Sequence, residues 1–303
     1  MVAFCAVAAR VVAGALTAVK TIVVTGATSL IGHFLLPRLA GADYRVVALS
    51  RRPQAGAPAG VEWRRMDIAD PSGAEPPPGD ALIHLAPLWL LPDLLARSPA
   101  FGSRRIIAFS STSRISKEDS PNPRERALAQ RLATAEERLL ALPGTRVTIF
   151  RPTLIYGAGL DQNISLIARN IRRFHLFPLI GSGSGQRQPV HADDLARACL
   201  LALARPETEG RIYTLTGGET LSYRQMVIRV FKTLELTPRL VSTPEAAVRA
   251  LLSILSWWPR LRHLTPDMAS RMNHDLVFDS LPAERDLGYT ARPFFPQRED
   301  LGV

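Results

Sequence analysis

The chain is short of cysteine, of lysine and of long apolar runs, and each shortage excludes something. Two cysteines, Cys5 and Cys199, make no disulfide framework and lack the spacing of a metal site, so no metal is expected. A reducing compartment follows as the expectation, and the cytoplasm is the expected location. Lysine is confined to Lys20, Lys117 and Lys232, so the formal charge of +10 rests on arginine. An Arg-, Ala- and Pro-rich composition is what a GC-rich genome encodes, which discounts part of that charge. The remainder suits an anionic small ligand, a nucleic acid or an acidic membrane surface. No RNA-binding motif occurs and no aromatics interleave with the arginines, so nucleic acid is not an expected partner.

Beyond residue 19 no stretch is long and apolar enough to span a bilayer. The opening "MVAFCAVAARVVAGALTAV" is apolar, yet its first cation, Arg10, falls in mid-segment. A signal peptide would carry its basic residues ahead of the apolar run. Residues 1–19 read as an extra N-terminal helix or an over-extended start, with export or anchoring as the lesser alternative.

With 303 residues, 47% of them apolar and 21% charged, the chain has the composition of a folded protein with a substantial core. Strand-like runs recur through its first two-thirds: "KTIVVTG", "YRVVALS", "VEWRRMDI", "ALIHLA", "RRIIAFSS", "RVTIFRPTLIYG" and "RIYTLTG". Helical segments separate most of them, which predicts an α/β fold with a doubly wound parallel sheet. From about residue 217 the pattern changes to helices with Pro-marked breaks. The expected division is an apolar extension over 1–19, a dinucleotide-binding domain over 20–156 and 188–216, and a smaller, mainly helical substrate lobe over 157–187 and 217–303.

"TIVVTGATSLIG" places Gly26 and Gly32 around a strand-to-helix turn. Glycine at 26 permits a tight turn. The amides that follow, at Thr28, Ser29, Leu30 and Ile31, can then hold a pyrophosphate at the helix start. Here the sequence resembles the extended or atypical short-chain dehydrogenase/reductase superfamily, in its NAD(P)-dependent epimerase/dehydratase branch. The resemblance runs from Lys20 over nearly the whole remaining chain and implies a Rossmann-type sheet. The branch usually shows Thr-Gly-x-x-Gly-x-x-Gly; this chain has Ser29 at the middle glycine.

The second strand ends "LSRRP" rather than in the Asp or Glu that would bind the ribose hydroxyls of NAD. Arg51 and Arg52 would attract a 2′-phosphate instead, so NADP(H) is expected over NAD(H). Two exposed arginines would also solvate a strand end without binding anything. By resemblance, Asp67 and Ile68 match the adenine-contacting pair, and Leu85, Ala86 and Pro87 line the cofactor. Pro152 and Thr153 lie beside the nicotinamide. His84 reads as a packed strand residue rather than a base.

"IIAFSSTS" matches the strand leading to a catalytic Ser or Thr, with Thr112 at the matching position and Ser111 as alternate. Family members then carry Tyr-x-x-x-Lys on one helical face. No such pair exists here: the residues four beyond Tyr44, Tyr156, Tyr213, Tyr223 and Tyr289 are Ala48, Leu160, Gly217, Val227 and Pro293. In the family an Ala-Glu pair normally comes three and four residues after the Lys of that pair; Ala135-Glu136 resembles it, which puts Leu128 and Leu132 at the two positions. They belong to an apolar stripe with Ala135, Leu139 and Leu142, on a helix expected over 124–142. Asn122 is its expected cap, Glu125 completing an Asn-x-x-Glu box. Lys117, Arg131 and Tyr156 are the weak substitutes, Lys117 by loose analogy with lysine-dependent members.

On the substrate side the resemblance gives Asn163 and, in "GQRQPVHADDLA", Arg187 at the position that grips the diphosphate of a nucleotide-sugar. His191, Asp193 and Asp194 read as ordering that loop and capping its helix. "IARNIRRF" gathers Arg169, Arg172 and Arg173, read as a solvated face. Trp257 and Trp258 beside Arg260 and Arg262 suit either a buried lobe helix or, less often, a membrane interface. The expected activity is hydride transfer on a nucleotide-sugar or similar phosphorylated carbonyl compound, with a nonstandard proton donor. The alternative is an NADP(H)-binding protein with little catalysis, acting as redox sensor or assembly partner. A homodimer is compatible with either.

Overall fold

The computed structural model describes residues 21–52, 59–70, 75–98, 101, 104–244, 246, 248 and 271–303. The apolar extension over 1–19 and the Trp257–Arg262 stretch lie outside these residues.

Seven strands form one sheet: β1 (Thr21–Thr25), β2 (Arg45–Ser50), β3 (Val61–Arg65), β4 (Ala81–His84), β5 (Arg105–Phe109), β6 (Arg146–Pro152) and, later in the chain, β11 (Arg211–Leu215). They are the seven runs picked out in the sequence. Their order is β11-β6-β5-β4-β1-β2-β3, every pair parallel. This is the Rossmann-type doubly wound arrangement, with the chain reversing direction across the sheet between β1 and β4.

Alternation along each strand feeds two cores. Ile22, Val24, Val46, Ala48, Ile83 and Ile107 point to one face. That face is covered by α1 (Leu30–Gly41), α6 (Ala192–Leu203) and α8 (Leu281–Leu287). Val23, Val47, Leu49, Leu82, Ile106 and Ala108 point to the other, beneath α2 (Leu91–Arg97) and α4 (Pro123–Ala141). Of the remaining helices, one turn, α3 (Ser113–Ser116), follows β5, and another, α9 (Arg298–Leu301), ends the chain. A third apolar cluster gathers α5 (Ile164–Phe174), α7 (Tyr223–Thr233) and the C-terminal Phe294 and Leu301. Short pairs complete this region: β7 (Ile155–Tyr156) with β10 (Val190–His191), β8 (Phe177–Ile180) with β13 (Leu240–Thr243), and β9 (Gln186–Arg187) with β12 (Leu221–Ser222).

Helix α4 matches the expected span to within a residue, and Asn122 caps it through the Arg124 amide at 3.0 Å. The capping box is a correction. The Asn122 amide donates to Ser120 Oγ at 3.2 Å, while Glu125 accepts from Ser120 Oγ at 2.7 Å and pairs with Lys117 at 3.1 Å. A serine two residues ahead of the cap offers the amide a nearer oxygen, and an available lysine takes the carboxylate.

His191 caps α6, its Nδ1 accepting from the Asp193 amide at 3.0 Å. The two aspartates instead hold the C-terminal segment. Arg292 donates to both, and Arg38 of α1 donates to Asp193 at 2.5 Å. Burial opposes ionisation of Asp193, but the two guanidinium partners outweigh it and hold its carboxyl at about 2. Among the described residues no helix is long and apolar enough to cross a membrane, and no group of three or more His, Cys, Asp or Glu side chains gathers to hold a metal.

Candidate cofactor and substrate site

Because the seven strands are parallel, their carboxyl ends share one edge, and the β1/β4 switch point opens a crevice there. The chain leaves β1 through Gly26 at φ +64°. A Cβ at this position would lie 2.5 Å from the Ala86 nitrogen and 2.7 Å from the Leu85 carbonyl carbon. Glycine is therefore required both by conformation and by the approach of the β4 loop. At Gly32 a Cβ would stand 2.2 Å from the Ala27 oxygen, so the helix rests directly on the turn.

Ser29, in the place of a middle glycine, has ordinary extended backbone (φ −69°, ψ 165°) and caps α1. Its Oγ accepts from the Gly32 amide at 3.2 Å, and its own amide donates to the Gly26 oxygen at 2.9 Å. The Leu30 and Ile31 amides come before His33, which makes the first intrahelical bond at 3.0 Å. They remain at the positive end of the helix dipole, beside exposed Thr28.

A buried histidine fixes the neighbouring loop. His84 Nε2 lies 3.2 Å from the Pro87 carbonyl, which can only accept, so that nitrogen carries the proton. Nδ1 then accepts from the Thr25 hydroxyl at 2.8 Å. Burial pushes the imidazole down to about 4, the bond to Pro87 opposing the shift without reversing it. His84 is thus neutral and tied at both nitrogens, as a packed strand residue. The Leu85 amide adds a bond to the Thr25 oxygen at 2.9 Å.

The other predicted residues follow the strand ends around this edge. Arg51 and Arg52 are exposed just past β2, with no side-chain partner among the described residues. In sequence no Asp or Glu follows β2 before Glu62. Asp67 is exposed past β3, its carboxylate accepting from the Ala69 amide at 3.0 Å, with half-buried Ile68 beside it. Beyond β5, Ser111 Oγ accepts from the Ser113 amide at 3.1 Å. Thr112 donates to the Pro152 oxygen from both its amide (3.2 Å) and its hydroxyl (3.1 Å).

Thr153 carries the edge onward, bonding the Gln188 oxygen through its hydroxyl. The residue before Gln188, Arg187, is only 5% exposed. Its guanidinium donates to the Gln186 and His274 oxygens at 2.7 and 2.6 Å and lies 5.7 Å from the Tyr223 ring. Burial lowers its pKa, with Tyr223 and Asp275 acting in the opposite direction. Asn163 is exposed at the start of α5, where the turn is held by Asp161 through the Asn163 and Ser165 amides at 2.8 and 3.2 Å.

The helix face that follows carries no proton donor. Leu132 is 4% exposed, and Leu128 packs half-buried against the same core as Leu88 and Leu91. Arg131 stacks at 4.0 Å over Trp89, in the turn after Pro87. Lys117 is paired with Glu125. Tyr156 is buried edge-on between His191 and Phe294, and burial raises its hydroxyl pKa well above the tyrosine range, Asp300 adding to the effect.

Sequence reasoning passed over one buried ionic cluster at this edge. Glu136, 3% exposed on α4, accepts from Ser110 Oγ at 2.5 Å and from Arg151 Nε at 2.9 Å, with a second bond from the Arg151 terminal nitrogen. It ties the end of β5 to the end of β6, flanking Thr112 and Pro152. The available signal was a carboxylate four residues beyond Leu132, on the apolar face.

A parallel sheet with a glycine turn at its switch point, free helix-start amides and an apolar loop against them defines a dinucleotide-type α/β protein. The family described as NAD dependent epimerase/dehydratase matches residues 22–88 and 93–215, and the chain belongs to it. Among curated proteins it is 28% identical over 181 residues to the uncharacterized protein y4nG of Sinorhizobium fredii, covering 59% of this chain and 45% of that one. It is 30% identical over 121 residues to the mitochondrial NADH dehydrogenase [ubiquinone] 1 alpha subcomplex subunit 9 of Arabidopsis thaliana, covering 39% and 29%. The chain thus spans less than half the length of these two relatives. Among solved structures, MoeE5 in complex with UDP-glucose and NAD is similar in fold, with a TM-score of 0.66 at 20% identity over 93% of this chain and 96% of that one.

Gly26→Ala should lower the unfolding free energy by roughly 2 kcal/mol or more, since strain and a backbone clash act together. A urea melt unchanged from the parent would refute the close approach of the two loops. His84 is neutral in the fold down to about pH 4 but protonates near 6.5 once unfolded, so the unfolded chain binds the extra proton between those values. Its contribution is whole above 6.5 and is lost as pH falls through that window, by roughly 3 kcal/mol in total. Urea melts across the window should show the decline, and His84→Gln should flatten it.

Proposed function

We propose that this protein binds NADP(H) at the carboxyl edge of its sheet and acts by hydride transfer on a nucleotide-sugar or similar phosphorylated carbonyl compound. The observation that carries the reading is the Gly26 turn, packed onto Leu85 and Ala86 beside the Leu30 and Ile31 amides, which have no hydrogen-bond partner among the described residues. Those amides and the helix dipole suit a pyrophosphate, with Thr28 and Ser29 alongside. Arg51 and Arg52 would take the 2′-phosphate by charge-assisted bonds. Asp67 and Ile68 would hold the adenine end. Leu85, Ala86, Pro87, Pro152 and Thr153 would line the nicotinamide end and exclude water. When bound, the nicotinamide supplies a hydride acceptor or donor at its C4.

Thr112, or Ser111 beside it, would orient the substrate oxygen. The Thr112 hydroxyl donates to Pro152 here, and its lone pairs remain for a substrate donor. The nucleotide-sugar class is supported by family membership and by the UDP-glucose of the MoeE5 complex. Arg187 would meet the diphosphate and Asn163 the sugar end. Arg187 would act from a buried site already engaged by two carbonyls, so phosphate binding there requires some rearrangement of the loop carrying His274. The proton would pass through water or a nonstandard group, Lys117, five residues beyond Thr112, being one candidate.

One observation favours a second reading, an NADP(H)-binding protein with little turnover that serves as redox sensor or assembly partner. Leu128 and Leu132 fill the helix face where family members place their acid–base pair. General acid–base help is worth roughly 10²–10⁴-fold in rate, and nothing on that face supplies it.

Arg51→Ala should weaken NADPH binding by roughly tenfold or more while changing NADH little, in parallel fluorescence titrations. Equal losses would remove the phosphate assignment. A screen of nucleotide-sugars with NADP+ and NADPH should find turnover, and Arg187→Lys should weaken sugar-nucleotide binding at unchanged NADPH affinity. NADPH binding without turnover, together with a tight protein partner, would replace the enzyme reading by the second.

A further inference from the structure

The arginine run on α5 is left unused by the site. Its buried face, Ile164, Ile167, Ala168 and Ile171, packs into the third core. At 100° per residue, Leu166, Arg169 and Arg173 form one outward stripe, with Arg172 and Phe174 on its flanks. Apolar side chains stand among these arginines. Leu166 and Leu176 are exposed, and Phe174 is 56% exposed with the Arg173 guanidinium 5.2 Å from its ring.

The β8–β13 pair that follows α5 in the chain also exposes apolar residues. Val241, 49% exposed, pairs with exposed Pro178, and the Phe177 amide bonds the Arg239 oxygen at 2.9 Å, which brings a fourth arginine to the patch. Helix α5 carries no acidic residue. No salt bridge or hydrogen bond engages the side chains of Arg169, Arg172, Arg173 or Arg239 among the described residues.

We propose that this face docks on an anionic phospholipid bilayer. The arginines meet headgroup phosphates, while Phe174, Leu176 and Val241 enter the acyl boundary. The charge carried by α5 itself is one-signed, and the interleaved apolar side chains select the bilayer over other polyanions. A nucleic acid would use the guanidinium groups but leave Leu166, Leu176 and Val241 against water. The inference is independent of the cofactor and substrate assigned above.

Co-sedimentation of the full chain with two sets of vesicles tests it, one of phosphatidylcholine alone and one of phosphatidylcholine mixed with phosphatidylglycerol. The chain should pellet with the mixed vesicles and stay in solution with the neutral ones. The double variant Arg172→Gln/Arg173→Gln should lose roughly tenfold or more of that partitioning. Phe174→Ser should lose roughly tenfold. Both variants should keep the parent melting midpoint, since each side chain points away from the core. Absence of pelleting, equal pelleting with both vesicle types, or full retention by either variant would overturn the proposal. So would binding of a duplex oligonucleotide at the same salt that Arg172→Gln/Arg173→Gln abolishes while the vesicles stay unbound.

Discussion

The ends of β1 and β4 are held together by two hydrogen bonds and one close backbone approach. The Thr25 hydroxyl donates to His84, the Leu85 amide bonds Thr25, and Gly26 leaves no room for a side chain against Ala86. A parallel pair whose crossovers leave in opposite directions opens a crevice at its carboxyl end. Here the crevice has a floor of fixed backbone. The neutral state of His84 is part of that constraint. An imidazolium could not accept from Thr25, and its burial without a counter-ion would be costly.

From that junction the rest of the edge is laid out by strand order. Arg51 and Arg52 fall to one side, past β2, and Thr112 and Pro152 to the other, past β5 and β6. The buried Glu136–Arg151–Ser110 cluster fixes this second side. A carboxylate at that depth persists because two bonds from one guanidinium and one from a hydroxyl satisfy it. On the same helix, one and two turns away, Leu132 and Leu128 turn the wall apolar. The edge therefore combines rigid polar anchoring with a surface that offers no proton, and the proposed chemistry must draw its proton from solvent or from the Ser/Thr loop.

Much of the architecture was legible before any coordinates. All seven strands of the sheet are visible as strand-like runs, and the central ones are apolar nearly throughout because they are buried on both faces, whereas the edge strand β3 is half charged. The amphipathic period marked α4 to within a residue. The capping box at Glu125 was misread, since spacing alone cannot tell which of two oxygens lies nearer an amide. Glu136 was noted only as a motif match. That it is buried, and that Arg151 is its partner from a strand fifteen residues on, follows from packing α4 against β6. The arginines of α5 read as a solvated face because the pattern does not show which apolar residues from β8 and β13 join them.

The sequence by itself determined the sheet, the glycine turn, the arginines in place of a carboxylate after the second strand, and the absence of a tyrosine–lysine pair. These are properties of local pattern and of residue identity, which need no partner to be read. Only the tertiary structure decided that Gly26 must accommodate the Leu85–Ala86 backbone, that His84 is neutral and doubly bonded, and that Arg187 is buried against two carbonyls. It also decided that Leu166, Phe174 and Leu176 stand exposed with the arginines of α5. Each of these depends on atoms distant in sequence being brought within a few ångströms, and so on the packing that the local pattern permits but does not specify.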